Sequence, residues 1–94
     1  MKFEELNKRV IKWADKKGIL KNATPLAQIE KTEEEVSETK LAIFADFQGL
    51  EEYHNSKELK DTKEEIKDGI GDTLVTLLIQ CKMQNLNPLD CLET

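Results

Sequence analysis

From Phe3 to Leu89 the apolar residues of this chain recur at intervals of three and four, with no run of apolar/polar alternation. That spacing belongs to helices and excludes a sheet. Only 2 prolines and 4 glycines interrupt the 94 residues, so the expected fold class is all-α, a small helical bundle. The first segment, Phe3 to Lys16, places Phe3, Leu6, Val10 and Trp13 on one narrow face that is expected to be buried, and Gly18 is a suitable cap at its end. Thr24-Pro25 supplies an N-cap hydroxyl followed by proline at the first helical position, opening a second long helix to about Phe47. Ile29, Val36, Ile43 and Phe47 share one side of it, while Lys31, Glu34, Glu35 and Glu38 share the opposite side with Ala42 and Ala45.

Gln48 to Asp61 is patterned weakly and is expected to be a connector with a short helical turn around Leu50 to His54; His54 is read as a surface residue. The third long helix begins near Thr62, where Thr62-Lys63-Glu64-Glu65 fits a capping box, and runs to about Gln84. Asp61, Glu65, Asp68 and Asp72 form a stripe along it that continues upward as Val75 and Ile79, opposite Ile66, Ile70, Leu74, Leu77 and Cys81. Its C-terminal half is therefore apolar nearly all round and calls for burial on every side. One chain of this size buries only roughly 60–65% of its unfolded surface, so a homo-oligomer, dimer or tetramer, is expected to complete the core. Asn87-Pro88-Leu89-Asp90 has the N-cap, proline and acid of a last helix start, held by Leu89 and Leu92 on the bundle.

The two acidic patterns carry the chemistry. Residues three or four apart are neighbours on a helix, so Glu35 projects with Glu38 and Asp68 with Asp72. Like charges so placed are tolerated when water solvates them or a hard cation neutralises them. Mg²⁺ is usually held by a few carboxylates together with substrate phosphates. Acidic runs on helices are ordinarily solvated faces; here the stripes share their faces with Ala42 and Ala45 on one helix and Val75 and Ile79 on the other, which favours a site. Gly69 and Gly71 each cost helix stability, roughly 1 kcal/mol relative to alanine, and point to close helix approach or room for a ligand. The formal charge of −5 leaves no basic footprint for nucleic acid or an anionic membrane. No run approaches a membrane span or a signal peptide. Cys81 and Cys91 lack metal-ligand spacing and read as plain thiols, with Cys81 in the core. A soluble, cytoplasmic protein is expected.

The stretch from Trp13 to Leu78 resembles a known family. Its marks are Lys17-Gly18-Ile19, Ala23-Thr24-Pro25, Gln28, Lys31, Glu34-Glu35-Val36-Ser37-Glu38 and Gly71-Asp72-Thr73-Leu74-Val75. They resemble the MazG-like all-α nucleoside triphosphate pyrophosphohydrolases, particularly their small phage-type members, which would place the protein in a host cytoplasm. The resemblance implies a single MazG-like domain over 1–94 in which Glu-Glu-x-x-Glu and Glu-x-x-Asp motifs hold Mg²⁺, and a nucleotide is cleaved between its α and β phosphates. The first motif falls on Glu34, Glu35 and Glu38, and the Asp of the second on Asp72. Gly69 stands where the second motif has Glu, and Asp68, about 40° to the other side of Asp72 on a helix, substitutes as in the Asp-x-x-Gly-Asp form of phage-type relatives. The spacer between the motifs is long for the family. Relatives continue past the equivalent of Cys91-Leu92-Glu93 into a basic segment, so a form truncated at the C-terminus is expected.

Phosphoanhydride hydrolysis needs a cation on the phosphate oxygens, a positioned water and a carboxylate to orient or deprotonate it. The expected metal ligands are Glu35, Glu38, Asp68 and Asp72, for Mg²⁺ with Mn²⁺ as an alternative. Glu34 is the expected catalytic base, its role interchangeable with that of Glu35. Lys31, Gln28, Lys17 and Trp13 are the expected substrate-binding residues. The alternative is a non-catalytic helical module for dimerisation or regulatory partner binding.

Overall fold

A computed structural model describes residues 1–48 and 62–94. The connector from Gly49, with the helical turn expected there, His54 and Asp61, lies outside them. The described residues form five helices and no strand, so the fold class is all-α: α1 (Phe3–Lys16), α2 (Ile19–Asn22), α3 (Pro25–Gln48), α4 (Thr62–Met83) and α5 (Pro88–Glu93). The three long segments match the spacing of their sequence. The four residues of α2 were not anticipated, being too few to show a period.

Local chemistry sets the ends. Gly18, at φ +77°, ends α1 in the left-handed region that glycine enters without strain. The Thr24 hydroxyl accepts from Ala27 N at 3.1 Å and starts α3. Asn85, at φ 58°, closes α4: its N–H bonds Lys82 O at 3.1 Å, and Leu86 N–H bonds Cys81 O at 2.8 Å, the paired bonds of a Schellman turn. Asn87 Oδ1 then accepts from Leu89 N at 2.8 Å and starts α5.

α3 and α4 make the principal contact, and their pairings show that they run antiparallel. Gln80 Nε2 donates to Pro25 O at 2.8 Å, Gln28 Nε2 to Thr76 O at 3.1 Å, and the Thr62 hydroxyl to Asp46 Oδ1 at 2.6 Å. α1 lies across α4. The α3–α4 seam is made mainly of small and hydroxyl side chains: Thr32, Thr39, Ala42 and Ala45 from α3 and Thr62 and Thr76 from α4 are buried, with Ile79 a large aliphatic side chain buried beside them. Buried hydroxyls cost free energy unless bonded. Thr32, Thr39 and Thr76 donate to Gln28 O, Glu35 O and Thr73 O at 3.2, 2.7 and 2.6 Å. A Cβ at Gly69 would collide with the Thr39 hydroxyl, whereas nothing lies within 4 Å of one at Gly71. Close approach therefore explains Gly69 alone.

Burial corrects several expectations. Ile29, Val36, Ile43 and Phe47 share an exposed side of α3, and the side carrying Glu35, Ala42 and Ala45 faces α4. The small stripe permits the close approach at Gly69, and the large side chains are left outward. On α1, Ala14 is buried and Val10 half-buried, while Phe3, Leu6 and Trp13 stay largely exposed because α4 covers only part of the face. On α4, Ile79 is buried but Ile70, Leu74 and Leu77 are exposed, so a single chain does not surround this helix. Leu92 is 80% exposed and does not pin α5. Cys81 is half-buried rather than core, and both cysteines are free thiols. Burial, reinforced by the adjacent Cys91 thiol, raises the Cys81 pKa above its ordinary value.

Candidate metal and nucleotide site

The antiparallel register brings the acidic patterns of α3 and α4 to the same stretch of the seam. A cavity of about 210 Å³ is walled by Glu38, Thr39 and Ala42 from α3 and by Glu65, Asp68, Gly69 and Asp72 from α4. Three of the four expected metal ligands, Glu38, Asp68 and Asp72, thus share one space. The fourth, Glu35, lies in the adjoining cavity of about 160 Å³, whose walls also include Asp72, Lys31, Gln28 and Trp13. Asp72 is the partition between the two.

The close contact at Gly69 determines which α4 residue can offer a carboxylate. Position 69 abuts Thr39 and has no space for a side chain, while Asp68, one step round the helix, reaches the cavity. Glu65 is a wall residue not chosen as a ligand from sequence. Its membership of the Glu65–Asp68–Asp72 stripe was the available signal.

Glu35 and Glu34 differ sharply. The Glu35 side chain is 12% exposed in the cavity beside Asp72; that of Glu34 is 66% exposed and outside both cavities. Lys31 Nζ pairs with both, at 3.3 Å from Glu34 and 3.4 Å from Glu35. Hydrogen bonds to Glu34 and then Glu35 raise the Lys31 pKa above its ordinary value of 10.5. A raised lysine pKa means that the pair is intact at neutral pH and is lost only as pH climbs through that elevated value. The pair is exposed to solvent at Lys31 and contributes little to stability.

The expected substrate residues divide. Trp13 and Lys31 wall the second cavity. Gln28 does too, but it is buried and its amide is engaged with Thr76 O, which makes it a tie between α3 and α4. Lys17 caps α1 and belongs to neither cavity.

The donor set fits a hard cation: among the described residues the wall offers carboxylate oxygens and neither thiol nor imidazole. Among the described residues, however, no group of three carboxylates, thiols or imidazoles is drawn together closely enough to hold an ion. The side chains surround the space without forming a coordination shell.

No protein-family model, curated protein or solved structure matches the chain. Among the described residues no helix is long and apolar enough to cross a membrane.

Proposed function

We propose that this chain is a Mg²⁺-dependent nucleotide pyrophosphohydrolase of the MazG-like all-α kind, converting nucleoside triphosphates to monophosphate and pyrophosphate in the cytoplasm. One observation carries the reading: carboxylates from two antiparallel helices, Glu38 from α3 with Glu65, Asp68 and Asp72 from α4, wall a single cavity. The motif resemblance supports it, with Asp68 standing in for a carboxylate that position 69 has no room to carry.

Glu38, Asp68 and Asp72 would hold the cation. Mg²⁺, when bound, neutralises the phosphate oxygens and so lowers the barrier to attack on phosphorus. The remaining roles fall to side chains. Glu35, shielded and adjoining Asp72, is the better placed of the two glutamates to orient and accept a proton from the attacking water. Lys31 holds that carboxylate in position, and Trp13 offers a flat apolar face for a base. Incubating the protein with a panel of nucleoside triphosphates and Mg²⁺ should release pyrophosphate with at least one of them; release of orthophosphate alone, or no turnover, would overturn the reading.

The uncovered face of α3 and α4 supports association with a second copy. Val36, Ile43, Phe44 and Phe47 on α3, with Ile70 and Leu74 on α4, are each about half exposed or more, and large apolar side chains left open to water are what an association surface presents. A homo-oligomer, dimer or tetramer, is the expected state by sedimentation equilibrium, and a concentration-independent monomer would contradict it. The same face favours the second reading, a non-catalytic dimerisation or partner-binding module, should the nucleotide panel prove inert.

A further inference from the structure

The nucleotide reading leaves one requirement unmet. A triphosphate with one bound divalent cation still carries net negative charge, and the cavity meant to receive it is walled by the carboxylates Glu38, Glu65, Asp68 and Asp72. Some cation of the chain must offset that repulsion. Lys31 is engaged with Glu34 and Glu35, and Lys17 is in neither cavity wall.

A third cavity supplies the answer. It has a volume of about 450 Å³ and is walled by Leu6, Arg9, Val10 and Trp13 from α1 and by Asp72 and Val75 from α4. Arg9 and Trp13 are four residues apart, so they stand one above the other on α1, both lining this cavity. Asp72 is common to this cavity and to the acidic one. Arg9 thus lines a cavity that Asp72 also lines, and among the described residues its long side chain is the cation of that wall. Arg9 Nη1 donates to the Met1 thioether at 3.4 Å, a weak acceptor that a phosphate oxygen readily replaces. Guanidinium is suited to the task, because its fork of N–H groups matches phosphate oxygens two at a time.

We infer that Arg9 is a phosphate-binding residue of the nucleotide site, reaching across Asp72 to an oxygen of the triphosphate chain. The assignment rests on the pyrophosphohydrolase reading and adds to it the source of positive charge. It also gives α1 a role beyond covering α4: this helix presents both the aromatic surface and the cation.

Arg9→Gln and Arg9→Lys test it, measured by pyrophosphate release and by calorimetric binding of a non-hydrolysable α,β-methylene triphosphate in Mg²⁺. Arg9 is exposed, so both variants should melt with the parent protein. Arg9→Gln should raise KM and the analogue Kd about tenfold or more, the loss of a charged hydrogen bond. Arg9→Lys should recover part of that loss, since it restores charge but not the fork. Binding of the unphosphorylated nucleoside should be the same in all three proteins. If the parent protein binds the analogue and Arg9→Gln binds it within twofold, the Arg9 assignment is wrong and the pyrophosphohydrolase reading stands. If the parent protein neither binds nor cleaves any triphosphate, both fall together.

Discussion

Replacing Gly69 with alanine is expected to destabilise the protein by about 1–2 kcal/mol, although alanine is the better helix former by roughly 1 kcal/mol. The new methyl would meet the Thr39 hydroxyl and lie 3.1 Å from Thr39 Cβ and 3.2 Å from Thr39 Cγ2, all atoms of a buried, β-branched side chain with little freedom to turn away. Turning Thr39 would also break its 2.7 Å bond to Glu35 O and strand a buried hydroxyl. Gly71 is the control on the same helix. With nothing within 4 Å of its Cβ position, Gly71→Ala should stabilise by up to about 1 kcal/mol. Each kcal/mol moves Tm by about 4–8 °C in a domain of this size, so thermal melts should shift in opposite directions. A Gly69→Ala protein that melts at or above the parent temperature would show that the α3–α4 contact is looser than described.

The same contact explains what could and could not be read in advance. Helix limits were legible because they depend on local chemistry: Thr24-Pro25 and Asn87-Pro88 start helices wherever they occur, and the α1, α3 and α4 segments follow from their 3.6-residue spacing. Which face each helix buries was not. On α3 the large apolar residues stay outward while Gln28, Thr32, Thr39 and Ala42 go inward, because the pairing of α3 with α4 is limited by close approach rather than by apolar volume. Hydrophobic patterning alone weighs Ile43 above Thr39, and only the absence of a side chain at Gly69 reveals the preference. The acidic residues were legible as stripes, since Glu38, Asp68 and Asp72 lie on faces set by helical geometry. Their meeting depended on register: Thr39 beside Gly69 aligns the two stripes, and no single-helix pattern encodes that pairing. Arg9 and Asp72 line one cavity for the same reason, because α1 packs against α4.

Asp72→Asn is expected to have the largest functional effect, because Asp72 is shared by the acidic cavity, the Glu35 cavity and the Arg9 cavity. The substitution keeps the shape and removes one negative charge beside Glu38, Glu65 and Asp68. Like-charge repulsion falls, so the unloaded protein should be as stable as the parent or slightly more so. Pyrophosphate release should drop at least about a hundredfold, the order expected when a residue proposed to hold the cation is removed. Mg²⁺ is expected to raise the Tm of the parent protein, and this rise should shrink in Asp72→Asn. A ligand present at a hundred times its Kd stabilises by about 2.7 kcal/mol, and a variant that no longer binds gains nothing. Glu34→Gln and Glu35→Gln then separate the two candidate bases. Glu34 is outside both cavities and two-thirds exposed, so its loss should alter turnover only a few-fold; Glu35, shielded beside Asp72, should cost about a hundredfold or more. The reverse order would return the base role to Glu34. An Asp72→Asn protein that keeps both its Mg²⁺-dependent Tm shift and its turnover would remove the acidic cavity from consideration as the metal site.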